Sequence, residues 1–176
     1  IDGTVLYKTE IVELLEALDN KNDHCNWKIN FEDNTQQLVF CLIAEPNRKG
    51  LRTERWNIVS FVECSIDSFV SKSHGGYDET FEIHIEHSCT DPNAEGMGLS
   101  ELLRSIIINM AYFYNDNEST IFKLDYITTY AIAKGSQHLS NKLGFKSMPN
   151  INYKINSDSV IDKYTRFTNE SNFNLY

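Results

Sequence analysis

The sequence predicts a mixed α/β fold of the layered α+β kind, and three observations predict it. Residues Phe81 to Cys89 alternate, with Phe81, Ile83, Ile85, His87 and Cys89 on one face and Glu82, His84, Glu86 and Ser88 on the other. That period of two is a strand with one apolar and one ionisable face. Leu99, Leu102, Leu103, Ile106, Ile107, Met110 and Phe113 then recur with the 3.6 period of an amphipathic helix. Finally, an early helix and several strands are followed by strand, helix, strand, helix, strand, an order that builds layers.

Taken in order, Ile11, Leu14, Leu15 and Leu18 have helical spacing, with Thr9 placed to cap the start. Asp19 to Asn26 is Asn-rich and reads as a loop. Leu38 to Ala44 is a strand-length apolar run ended by Pro46, and Asn47 to Arg55 reads as a connecting turn. Trp56 to Ile66 is a second strand, and Ser71 to Asp78, with His74-Gly75-Gly76, reads as a loop. Beyond the alternating strand, Asp91-Pro92-Asn93 turns the chain and Gly96-Met97-Gly98 opens the long helix, which Asn115-Asp116-Asn117 ends. Ile121 to Ile127 reads as a strand, and Tyr130 to Leu143 as a helix stopped by Gly144. Val160 to Phe167 is the best of the strand-like pieces that remain.

The chain's 176 residues are enough for one domain, 1–176, with a real core. With 41% hydrophobic and 23% charged residues, the composition is that of a folded globular protein. Lys and Arg number 16 against 25 Asp and Glu, and 16 − 25 gives −9 with neutral His. Broad binding to a phosphate backbone needs clustered cations, so nucleic acid is not expected. The same field favours cationic ligands such as amines, polyamines or basic peptides. No membrane span is expected, because the most apolar run, Ile106 to Tyr114, is short and broken by Asn109. Ile1-Asp2-Gly3-Thr4 begins without a basic stretch and apolar core, so no secretory leader is expected there. Cys25, Cys41, Cys64 and Cys89 are widely spaced without a C-x-x-C. They read as core or strand thiols in a reducing, cytoplasmic setting, with neither disulfide nor metal site expected.

A strand, a glycine turn and a helix make a small anion site, because the first helical N–H groups lack intrahelical partners. Here the turn is Asn93-Ala94-Glu95-Gly96-Met97-Gly98. A dinucleotide fingerprint needs a third glycine where Glu101 stands, and no Walker lysine follows. Both nucleotide motifs are excluded.

The stretch from Glu82 to Ala111, followed by Phe122 to Phe145, resembles the GNAT superfamily of acetyl-CoA-dependent N-acetyltransferases. In that family a strand leads through [Gln/Arg]-x-x-Gly-x-[Gly/Ala] into a helix. Asn93 to Gly98 matches that spacing, with Asn93 standing where Gln or Arg is usual. A second family block ends in a Lys-Leu-Gly-Phe-like tetrapeptide, matched by Lys142-Leu143-Gly144-Phe145. The resemblance covers about residues 36 to 148. It implies the GNAT fold, a central mixed, mostly antiparallel sheet flanked by helices.

The resemblance also implies a chemistry. Acetyl-CoA would lie with its pyrophosphate against Asn93, Ala94, Glu95, Gly96, Met97, Gly98 and Leu99. Glu86, His87 and Ser88 would offer backbone groups to its pantetheine arm. The side chain of His87, on the apolar face, reads as a satisfied, partly buried histidine. Glu82 falls at the position of the family's general base, His84 at a second catalytic position, and Glu86 comes third. An ammonium must lose a proton before its nitrogen can attack a thioester, and such groups accept it. Relatives carry a tyrosine as general acid where this chain has Ser140, a weaker acid that could still bond the leaving sulfur. Tyr130, His138, Tyr153 or Tyr164 could replace it in space, and Arg104 and Lys134 could meet coenzyme phosphates.

Three functions follow from this reading. The first is direct acetyl transfer from acetyl-CoA to a cationic primary amine, a lysine side chain or a protein N-terminus. The second, suggested by Ser140 and Asn93, is a GNAT-fold module that binds acyl-CoA or a protein without turnover. The third is an unrelated α+β binding protein. The stretches Thr9 to Asn30, Ser65 to Thr80 and Asn150 to Asn156 would shape the substrate side.

Overall fold

The computed structural model describes residues 8–19, 37–44, 57–73, 76–131, 133–156 and 159–168. Its elements are α1 (Lys8–Asp19), β1 (Gln37–Ala44), β2 (Asn57–Ser73), β3 (Gly76–Thr90), α2 (Leu99–Asp116), β4 (Leu124–Tyr130), α3 (Lys134–Lys142), β5 (Lys146–Asn156) and β6 (Ser159–Phe167). The strands hydrogen-bond in the order β1-β2-β3-β4-β6-β5. The expected mixed architecture of sheet and helices is therefore what the chain adopts. The expected loop Asp19–Asn26, apart from Asp19, and the turn Asn47–Arg55 lie outside the described residues, as do Cys25 and His74-Gly75.

Two compact units make up the chain, Ile1–Glu63 with His87–Leu103, and Cys64–Glu86 with Arg104–Tyr176. In the first, α1 places Leu15 and Leu18 against Ile58, Phe61 and Cys89, with Leu14, Val39 and Cys41 packed alongside. Thr9 lies inside α1 and is not its cap. Cys41 and Cys64 are not disulfide-bonded, and burial pushes the Cys41 thiol up to about 11. Cys89 is disulfide-bonded, which corrects the expectation of four plain thiols.

In the second unit the expected Ser71–Asp78 loop is mostly strand. β2 continues to Ser73 and β3 starts at Gly76, so only two residues connect them. Such a short connection joins antiparallel partners.

β3 and β4 are parallel, which requires a crossover, and α2 supplies it. β4 starts at Leu124 and runs to Tyr130, three residues later than the sequence predicts at each end. Ile121 is 98% exposed, outside the sheet, and Phe122 stacks on Phe81 at 4.1 Å between ring centroids. Consequently α3 begins at Lys134 rather than Tyr130. β4 and β5 both pair antiparallel with β6. The expected Asn150–Asn156 connection is part of β5, whose register slips between Met148 and Asn152, around Pro149. Proline is tolerated there because β5 is the edge strand.

α2 buries Leu103, Ile107, Ile108 and Ala111, together with Arg104. The predicted apolar stripe is therefore centred differently: Leu102, Ile106, Met110 and Phe113 remain exposed. Among the described residues no helix is long and apolar enough to cross a membrane.

The Lys142–Phe145 tetrapeptide has a structural basis. Leu143 ends α3, Gly144 follows at φ +78°, and Phe145 N–H reaches back to Ser140 O at 3.0 Å. Gly144 N–H donates to Asn141 O at 3.0 Å, completing a double closure of the helix end. Arg166 donates to Leu143 O directly over the glycine, where an added Cβ would collide with its Nη1.

Gly144→Ala is expected to destabilise the protein by about 1–3 kcal/mol, through the positive φ and the displaced guanidinium. Gly135, on the first turn of α3, has open space around a built Cβ. Gly135→Ala should instead stabilise by about 0.5–1 kcal/mol. Urea unfolding of both variants checks the pair, and equal shifts would contradict this account of the helix end.

Candidate functional site

The turn into α2 is built on Asp91. Its carboxylate accepts from Asn93 N at 2.9 Å and Asn93 Nδ2 at 3.0 Å, and Pro92–Ala94 forms a short 3-10 turn. Ala94 N–H donates to Asp91 O, Glu95 N–H to Pro92 O and Met97 N–H to Ala94 O. Of the loop residues singled out from sequence, Asn93, Ala94, Glu95 and Met97 thus spend their amides within the turn. Asn93 also spends its side chain there.

The amides of Gly96, Gly98, Leu99 and Ser100 have no hydrogen-bond partner among the described residues. Gly96 and Gly98 both stand at φ +77°, and a Cβ built on either meets nothing within 4 Å. Both glycines and Met97 are exposed, so this backbone faces open space at the head of an 18-residue helix. Four open N–H groups and a helix dipole suit a phosphate-bearing group. Ser100 is the member of this set that the sequence motif does not mark.

On β3 the ionisable face is solvated only in part: Glu82 and His84 are both buried. Lys163 of β6 places Nζ 3.3 Å from Glu82 Oε1 and 3.2 Å from Oε2. Its ammonium also lies over the Phe69 ring, 5.6 Å from the centroid. His84 Nδ1 lies 2.7 Å from Thr128 Oγ1, its register partner on β4. His84 Nε2 faces Glu86 Oε2 at 3.8 Å, and Tyr130 stands edge-on to the imidazole at 5.1 Å. Glu86 is 37% exposed at its side chain and accepts from Ser65 Oγ at 3.0 Å. Burial pulls the His84 pKa below its ordinary value of 6.5; Glu86, then Glu82, oppose the shift, Lys163 adds to it and Asp67 opposes it weakly.

The His87 side chain is partly buried, 46% exposed, and its Nδ1 meets the buried Glu63 at 3.2 Å. Other expected sites are placed otherwise. Ser140 is fully buried: its Oγ donates to Ser136 O at 2.9 Å and accepts from Arg104 Nη1 at 3.2 Å. A hydroxyl with its single proton already committed, out of solvent, is not placed as an acid for a leaving group. Arg104 is buried too, and Nη2 donates to Ser136 Oγ at 3.0 Å, so it ties α2 to α3 and does not await a phosphate. Burial pulls its pKa down to about 10.

Among the tyrosines considered for the acid, Tyr130 is beside His84, whereas Tyr164 is buried in β6. The Tyr153 side chain lies outside the described residues. His138 and Lys134 are exposed on α3. Lys163, Thr128 and Ser65 are the additions that sequence does not reveal.

Compared with solved structures, the chain resembles Arabidopsis thaliana NAA60 in complex with acetyl-CoA (11% identity, 89% of this chain and 93% of that one, TM-score 0.62). It also resembles the ribosomal-protein-S18-alanine N-acetyltransferase from Escherichia coli (15% identity, 98% and 97%, TM-score 0.59). A third likeness is to the KacTA–DNA complex (12% identity, 96% and 85%, TM-score 0.55). No family model and no curated protein matches the sequence. At these identities the likeness is one of fold, and the fold is that of the GNAT acetyltransferases.

Removing Lys163 strands a buried carboxylate. Lys163→Met should cost about 3 kcal/mol, and Glu82→Gln in addition should restore most of it. Urea unfolding decides, and a single variant as stable as the parent would contradict the pairing. Because burial depresses the His84 pKa, the unfolded chain binds the extra proton first on acidification. The His84 contribution to stability is thus present above the unfolded value of 6.5 and lost as pH falls through the folded value. His84→Gln should flatten the loss of stability on going from neutral pH to pH about 5.

Proposed function

We propose that this chain, folded as the GNAT acetyltransferases are, transfers an acetyl group from acetyl-CoA to a cationic primary amine. The observation that carries the reading is the turn at Gly96 and Gly98, with four open amides at the head of α2. Gly96, Gly98, Leu99 and Ser100 would hold the pyrophosphate by their N–H groups. Bound there, acetyl-CoA supplies a thioester whose carbonyl carbon takes the amine lone pair as the C–S bond breaks.

The chain's own task is to remove a proton from the amine. Glu82 is buried with both oxygens against the Lys163 ammonium, so it is not open to a substrate amine. The deprotonating unit is therefore His84 with Glu86, the pair that meets at 3.8 Å beside Asp67 and Ser65. Their carboxylates also attract a cationic substrate, in keeping with a net charge of −9. Ser140 is not given the acid's part. A thiol of pKa about 8.5 leaves without much help near neutral pH, and the Tyr130 ring stands beside the imidazole.

A second reading, a module that binds acyl-CoA without turnover, is favoured by one observation, the burial of Ser140 where relatives carry their acid. Free-thiol release from acetyl-CoA separates the two. Release is expected to rise and saturate with added primary amine, and His84→Ala should lower it about 100-fold. Binding of acetyl-CoA with no release above background, whatever amine is added, would sink the transferase and leave the binding module.

A further inference from the structure

We infer that Thr128 is a positioning residue that locks His84 with its proton on Nε2, so that Glu86 is the group that takes the amine's proton. The inference rests on the acetyl-transfer reading for its second half and on hydrogen-bond accounting for its first. Thr128 is 1% exposed. Its hydroxyl has one hydrogen to donate, and among the described residues its hydrogen-bond partner is His84 Nδ1, 2.7 Å away. If Nδ1 carried the ring proton and donated to Oγ1, the buried hydroxyl hydrogen would have no acceptor among the described residues. If the hydroxyl donates, Nδ1 accepts and both groups are satisfied.

The other side of the ring asks for the same form. Nε2 faces Glu86 Oε2 at 3.8 Å, longer than a hydrogen bond but close enough for an N–H to be drawn toward a carboxylate. With the proton on Nε2 and the Nδ1 lone pair spent on Thr128, the neutral imidazole has no lone pair to offer a substrate. Glu86 does: Oε1 accepts from Ser65, and the carboxylate is the most exposed member of the face. In the step that follows, an N–H bond of the substrate ammonium breaks and an O–H bond forms on Glu86. The electron pair stays on nitrogen, where it becomes the nucleophile. His84 attracts the Glu86 carboxylate across 3.8 Å and so helps to orient it.

Two measurements on the full chain test this. Long-range proton–nitrogen NMR of the His84 ring at neutral pH should show Nε2 protonated and Nδ1 as acceptor, and a ring protonated on Nδ1 would overturn the inference. Thr128→Val should remove the Nδ1 hydrogen-bond signature and Thr128→Ser restore it, whereas an unmoved ring in the valine variant would overturn it. Should the valine variant not fold, the wild-type ring still decides. The kinetic arm is Glu86→Gln, expected to lower kcat about 100-fold with KM for acetyl-CoA unchanged. An unchanged kcat would hand the proton to another group. Were the wild type to release no thiol at all, the transferase reading would fail while the ring measurement still decided the tautomer.

Discussion

The constraint on which the second unit depends is the burial of ionisable groups on one face of β3. Glu82 and His84 are out of solvent, and each must be satisfied by a group from another strand. Lys163 of β6 meets the carboxylate and Thr128 of β4 meets the imidazole. A one-residue slip of β4 would turn Thr128 to the opposite face, and the same slip of β6 would take Lys163 from Glu82. The polar pairs therefore help set register across β3, β4 and β6, a part that apolar packing alone fills less specifically. Asp125 adds to this at the start of β4, where its carboxylate accepts from Phe81 N at 3.0 Å, beside the register shift between Phe81 and Glu82.

What the sequence makes legible is what short-range pattern controls. The alternation of Phe81 to Cys89, the helix from Leu99 and the stop at Gly144 are all local, and each stands where the residues predict it. Strand ends are less local. Ile121 has every β-forming property but lies outside the sheet, because the parallel pairing with β3 begins at Leu124. The hairpin of β2 and β3 looks like a loop because Ser, Asp and Gly are frequent there, and pairing overrides those propensities.

The candidate site is legible to the same degree. The face holding Glu82, His84 and Glu86 is evident from period two, but its burial and its partners are not. Lys163 is 81 positions from Glu82 and reaches it only through the folded order of strands. Ser140 shows the converse error: alignment to a family motif places it at a functional position, while α3 turns its hydroxyl inward to Ser136 and Arg104. A motif fixes where a residue lies along the chain; packing fixes what its side chain can reach.

The central claim is that the backbone of Gly96 and Gly98 is an acetyl-CoA site, and calorimetric titration of the full chain with acetyl-CoA tests it most directly. The account predicts micromolar binding, worth about 8 kcal/mol, that is lost in Gly96→Glu, where a carboxylate would stand in the open space before the amides. Absence of binding by the wild type, or equal binding by the variant, would contradict it.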